Sequence, residues 1–218
     1  MTPPAGAAPR PEEKPAWRTG GATVVGFVAL LYLVEALDQF GGHRLDGNGI
    51  RPLETDGLWG VLFAPLLHAN WGHLLANTGP TLVLGFLVAL AGLSRFLLAT
   101  AIVWIVGGLG TWLIGNVGSS CGPTDHIGAS GLIFGWLAFL VVSGLFTRSI
   151  WQILVGIVVL VLYGGILWGM VPAFGIGTVC GGVSWQGHLC GALAGVLAAY
   201  LLSGPERKAR ERRRAVSA

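Results

Sequence analysis

Hydrophobic positions in this chain gather into six long runs, at residues 22–37, 73–91, 96–117, 127–146, 150–174 and 187–202, separated by short polar or glycine-rich connections. Within each run apolar residues follow one another without the period-two alternation of a half-buried strand, and most runs approach the ~20 residues that a helix needs to cross a hydrocarbon core. A spanning strand would also need a closed barrel of alternating polarity, which these runs do not supply. The pattern predicts an all-α polytopic membrane protein, a bundle of six transmembrane helices over residues 21–203, flanked by a disordered tail at 1–20 and a basic tail at 204–218.

Composition agrees. Of the 218 residues 53% are hydrophobic and only 11% charged, and the mean hydropathy of +0.71 lies far above that of a soluble domain. Basic residues sort to one side of the predicted membrane. Arg10, Lys14, Arg18 and the RKARERRR stretch at 207–214 fall in the tails, Arg95 and Arg148 fall in connections on the same side, and the opposite side receives Arg44 and Arg51. By the positive-inside rule both tails are expected in the cytoplasm, in a bacterial cell membrane. The net charge of +3 is therefore read as a topology signal, reinforced by attraction of the basic tail to anionic headgroups, and no nucleic-acid partner is expected. The proline-rich N-terminus carries no recognisable cleavable signal. Cys121 and Cys180 fall in two connections on the outer side, where a disulfide between them is open, and Cys190 reads as a small buried thiol of the last helix.

Polar groups inside such a bundle are expensive, so those near the helix mouths are functional candidates. Three sets occur at one depth on the outer side. His68, Asn70, His73 and Asn77 lie at the start of the second run, Asp125, His126 and Ser130 at the start of the fourth, and His188 at the start of the sixth. Gly131 and Gly135 on the fourth helix, and Gly187, Gly191 and Gly195 on the sixth, repeat every fourth residue, a spacing that lets backbones approach closely. If those stripes face each other, Ser130 and His188 become neighbours, and a neutral imidazole within hydrogen-bond reach is what activates a serine hydroxyl. His73 and Asn77, at i and i+4, share a helix face and with the Ser130 amide form a candidate donor set for an oxyanion. Taken singly, a membrane serine usually bonds the carbonyl one turn back; the combination favours chemistry. Zinc on His68, His73 and His188 is disfavoured because no HExxH is present and the spacing of His68 and His73 is awkward on one helix. No metal or other cofactor is expected, and the oligomeric state is not legible.

These residues resemble the rhomboid family of intramembrane serine proteases. Gly128, Ala129, Ser130 and Gly131 match its GxSG; His188 with Gly191 and Gly195 matches its histidine and GxxxG; His68, His73 and Asn77 match HxxxxHxxxN on the second helix. The resemblance implies a rhomboid-like bundle and an endopeptidase acting on single-span membrane proteins. In it Ser130 is the nucleophile and His188 the base, His73, Asn77 and the Ser130 amide form the oxyanion hole, and His68, Gly128, Gly131 and Phe134 support the site. Gly135, Gly191 and Gly195 serve helix packing. A protease-inactive relative would lack the nucleophile or the base, and a small transporter would show internal repeats that are not apparent. Two departures stand out. Where many bacterial relatives carry Trp-Arg in the first long loop, this chain has Trp59-Gly60, which leaves the anchoring of that loop open, with Trp59, Leu62 and Phe63 expected to meet lipid. Phe134 replaces a frequent tyrosine, with its ring expected against His188. His126 is expected to be a water-facing loop residue, and Asp125 has no assigned role.

Overall fold

The computed structural model describes residues 15–118, 125–170 and 184–217. Six helices in it are long and apolar enough to cross a membrane: Ala16–Gly41, Trp71–Ala89, Leu93–Ile114, Ser130–Thr147, Ile150–Met170 and Trp185–Ala209. We refer to them as the first to sixth helices. Cys121 and Cys180 lie outside the described residues. No strand occurs among the described residues, only an isolated antiparallel bridge between Ile50 and His126.

Two boundaries depart from the sequence expectation for physical reasons. The first helix begins at Ala16, inside the stretch expected to be a disordered tail, because Gly20 and Val24 already pack into the bundle: a Cβ on Gly20 would lie 2.8 Å from Cβ of Ala89. The basic stretch expected to be a tail is helical over Gly204–Ser217, fastened at its start by Arg95, which ion-pairs with Glu206 and donates to the Leu202 carbonyl (2.9 Å).

The fourth and sixth helices form the centre of the bundle and make its most extensive pairing. In each, half of the most apolar stretch is buried, against 11% in the fifth helix, whose Val158, Val161 and Leu162 point outward. A fully buried group of Leu84, Val88, Leu132, Trp136, Leu137 and Ala198 fills the interior, and Trp136 satisfies its indole by donating to Thr100 Oγ1 (3.1 Å). Such a centre is apolar on every side, as expected of a membrane core.

Glycine sets the spacing there. A Cβ on Gly191 would collide with the Gly131 carbonyl, and one on Gly195 with the Gly135 carbonyl. The two stripes thus face each other, backbone against backbone. The third helix joins the same junction where its ladder widens to a π turn over Val103–Gly107, with Gly107 against Gly191 and Val103 against Gly135.

The long first loop is folded rather than slack. It contains helical turns at Asp46–Asn48, Asp56–Trp59, Gly60–Phe63 and Ala64–Leu66. Trp104 donates to the Val61 carbonyl (2.9 Å) and Trp112 to the Glu54 carbonyl (2.8 Å). The Leu53 amide donates to the Trp112 carbonyl (3.0 Å), and Gly128 N–H to the Ala64 carbonyl (2.8 Å). Gly60, which stands where an arginine is common, packs its Cα onto the Gly49 carbonyl so closely that a side chain has no room. The loop is therefore anchored by two indole donors and a glycine contact in place of the missing guanidinium. Leu58, Trp59, Leu62 and Phe63 remain exposed along it.

The helix contact can be checked directly. Replacing Gly195 with valine should cost about 1–3 kcal/mol through overpacking and lower the melting temperature in detergent. Gly26→Val, where no atom lies within 4 Å of the added Cβ, should leave it unchanged, and equal behaviour of the two would refute the packing role.

Candidate active site

The fourth helix starts at Ser130 because Gly128 cannot continue it backward. Gly128 has φ +119°, outside the range of ordinary L-residues. A Cβ there would also meet His73, 2.7 Å from Cε1 and 2.8 Å from Nε2, with Asn77 Nδ2 at 3.7 Å. Gly128 is thus required twice, for its dihedral and for the space it leaves. As the first residue of a helix, Ser130 belongs to the turn whose amides find no partner within the helix, so its N–H has no intrahelical acceptor.

The sixth helix begins beside it. Ser184 caps that helix by accepting from Gly187 N–H (3.0 Å), and His188 follows within the first turns. Ser130 Oγ and His188 Nε2 are 2.9 Å apart, and His188 Nδ1 lies 3.1 Å from the Gly169 carbonyl oxygen. A carbonyl can only accept, so Nδ1 carries the proton. Nε2 then presents its lone pair, and the Ser130 hydroxyl donates to it. Gly169 reaches this position because the fifth helix tightens to a 3-10 turn over Gly164–Met170. Phe134 stacks on the imidazole with ring centroids 4.0 Å apart and planes inclined by 12°, which fixes the ring's orientation.

His73 and Asn77 face this pair across Gly128. Asn77 is buried, and its Nδ2 has no hydrogen-bond partner among the described residues, an unpaired donor close to Gly128. The His68 ring lies edge-on to His73 with centroids 5.0 Å apart, and its Nε2 accepts from Ala129 N–H (3.4 Å). Burial, reinforced by the His73 imidazole, pushes His68 down to about 4, so it is neutral near pH 7. A cavity of about 50 Å³ runs between Ser130, Gly128, His126 and Ser184, roomy enough for a few water molecules beside the serine.

Comparison with known proteins gives the arrangement its context. The family model described as the rhomboid domain matches residues 55–205. This chain belongs to the rhomboid family. It is 73% identical to an uncharacterized protein of Mycobacterium tuberculosis, Rv1337, over 93% of this chain and 83% of that one. Identity to an uncharacterized protein of Mycobacterium leprae, ML1171, is 68% over 89% of this chain and 76% of the relative. A more distant relative, rhomboid protease GluP of Bacillus subtilis, is 28% identical over 83% of this chain and 34% of that protein.

In this rhomboid structure His126 differs from expectation. It is buried, not water-facing. Its backbone pairs with Ile50 in both directions at 3.0 Å, and its Nδ1 is hydrogen-bonded to Ser184 Oγ at 2.6 Å. One residue therefore ties the first loop, the approach to Ser130 and the cap of the His188 helix. Asp125 is exposed next to the first loop; partial desolvation of its carboxyl raises it above the usual range, and the Arg51 charge opposes that. Sequence reasoning overlooked Gly169, which carries no motif, and Ser184, whose place before a helical run was a readable cap signal.

Burial also pushes the His126 imidazole down to about 4 from an ordinary 6.5. As pH falls below 6.5 the unfolded chain takes up a proton that the folded one refuses, so stability is lost from there down to about 4. The melting temperature should drop between about pH 7 and about pH 4.5, and less steeply in His126→Asn. Superimposable curves for the two proteins would show that His126 is not held neutral by the fold.

Proposed function

We propose that this rhomboid is an intramembrane serine endopeptidase that cleaves single-span membrane proteins with a Ser130–His188 dyad. The observation that carries the reading is the tautomer: Nδ1–H is committed to the Gly169 carbonyl, so Nε2 is a free base 2.9 Å from the Ser130 hydroxyl. A serine that only filled a packing position would have no need of an oriented imidazole.

The chemistry then balances in two halves. Ser130 Oγ forms a bond to the scissile carbonyl carbon while its proton passes to His188 Nε2, and the carbonyl oxygen becomes an oxyanion. The Ser130 amide, Asn77 Nδ2 and His73 are the donors for that charge, and their value lies in being fixed before the reaction in a site of low dielectric. His188 returns the proton to the leaving nitrogen as the C–N bond breaks, leaving an acyl-serine. Water drawn through the cavity beside Ser130 gives a proton to Nε2 and attacks the ester; collapse frees the new carboxyl end and restores the hydroxyl. Gly128 and Ala129 leave little side-chain bulk in front of the serine, which suits an unwound stretch of substrate backbone. The basic residues at the opposite end of the bundle support cytoplasmic termini in a bacterial membrane, and the exposed Trp59, Leu62 and Phe63 support shallow seating of the first loop in the outer leaflet.

Ser130→Ala and His188→Ala should each abolish cleavage of a single-span test substrate in liposomes, with melting curves retained. Loss of one oxyanion donor costs ~10²–10³-fold, so Asn77→Ala should keep measurable residual activity. A fluorophosphonate probe should label the protein at Ser130 and fail to label His188→Ala. Wild-type protein that resists the probe while folded would place the chain among inactive relatives.

A further inference from the structure

At the end of the bundle that bears Ser130, the first helix finishes in an unusual acidic corner. Glu35 and Asp38 lie at i, i+3 on one helix face, 1% and 2% exposed, within an otherwise apolar segment. The chain then turns back through two left-handed residues, Gly42 at φ +76° and His43 at φ +58°, the second stabilised by its amide donating to the Asp38 carbonyl (2.9 Å). That turn sets His43 Nδ1 3.7 Å from Asp38 Oδ2 and 3.6 Å from Asp46 Oδ2. Asp38 Oδ1 is occupied, accepting from Leu45 N–H (2.7 Å).

The remaining carboxylate oxygens are the anomaly. Both Glu35 oxygens, Asp38 Oδ2 and Asp46 Oδ1 are buried with no hydrogen-bond partner among the described residues. Each unpartnered buried carboxylate is costly, and several in one place repel one another. Either shared protons or a cation must neutralise such a corner. One donor atom each from Asp38, His43 and Asp46 falls within 4.8 Å of the other two, a spread that small side-chain adjustments reduce to the ~3–4 Å separating ligands of one ion.

We propose that Asp38, His43 and Asp46, with Glu35 beneath them, form a binding site for one divalent transition-metal ion of the manganese or zinc class. An imidazole among carboxylates selects for these ions over calcium, which takes oxygen ligands. The half-exposed edge of His43 provides the way in. The ion fastens the end of the first helix to the beginning of the first loop, one bridge away from Ile50 and His126. This site is separate from the Ser130–His188 pair and does not depend on the protease reading.

The test uses the purified full chain in detergent, stripped with EDTA and titrated with MnCl2 while free Mn²⁺ is followed by electron paramagnetic resonance. Uptake should saturate near one ion per chain, zinc should displace it, and calcium should not. His43→Ala, at a half-exposed residue that tolerates replacement, and Asp46→Asn should each weaken binding at least ~10-fold, equivalent to about 1.4 kcal/mol, and saturating metal should raise the melting temperature of the wild type alone. The proposal fails if folded protein takes up no stoichiometric ion, if both variants bind like wild type, or if calcium competes equally. It also fails if Asp46→Asn stabilises the stripped protein while metal changes nothing, which is the signature of shared protons.

Discussion

The contact on which the rest of the structure depends is that of two helix backbones with nothing between them. Gly191 and Gly195 of the sixth helix rest on the carbonyls of Gly131 and Gly135 of the fourth. In a bundle surrounded by lipid, no hydrophobic force drives helices together, so the attraction comes from close packing itself. This approach gives a serine and a histidine on neighbouring helices a separation of 2.9 Å. A larger side chain in the stripe would collide with the facing carbonyl and push the two helices apart. The glycines therefore act on geometry at the site, though none of them carries a polar side chain.

A second layer holds that geometry from the loop side. Gly128 faces His73 and Asn77, its N–H is bound to the Ala64 carbonyl, and the residue two before it, His126, is bridged to Ile50 and bonded to Ser184. The first loop, the entrance to the fourth helix and the cap of the sixth form one hydrogen-bonded unit. Buried polar groups of this kind are costly when unmatched and rigid when matched. That rigidity is the preorganisation that the proposed oxyanion site requires.

Much of this was legible in the sequence because membrane burial leaves few choices. Long apolar runs mark the spans, and polar residues within them are rare enough that Ser130, His188, His73 and Asn77 could be singled out by type and spacing. What stayed hidden depends on backbone atoms or on distant parts of the chain. The Gly169 carbonyl has no side-chain signature, and its place over His188 follows from a tightened final turn. His126 read as a solvent-facing loop residue because nothing local shows that Ile50 and Ser184 converge on it. Gly60 looked like the loss of an anchor, whereas its lack of a side chain is what lets Gly49 come close. Glu35 and Asp38 were readable as acids in an apolar run, but hydropathy averages absorb two charges in a helix of 26 residues.

The handling of charge distinguishes the two polar regions at this end. At Ser130 the partner that orients His188 is a neutral carbonyl, whereas soluble serine proteases commonly use a carboxylate. A carboxylate beside a buried imidazole would itself have to be desolvated, and in a bundle walled by lipid-facing helices that penalty is not recovered from nearby water. A backbone carbonyl fixes the same tautomer with no net charge to bury. The corner formed by Glu35, Asp38 and Asp46 takes the opposite course, concentrating three acids around one histidine. Such a concentration has to be neutralised, by shared protons or by the proposed cation, and the exposed edge of His43 leaves a route open to an ion. Neutral groups line the site proposed for chemistry, whereas buried formal charge is gathered in the corner at the end of the first helix.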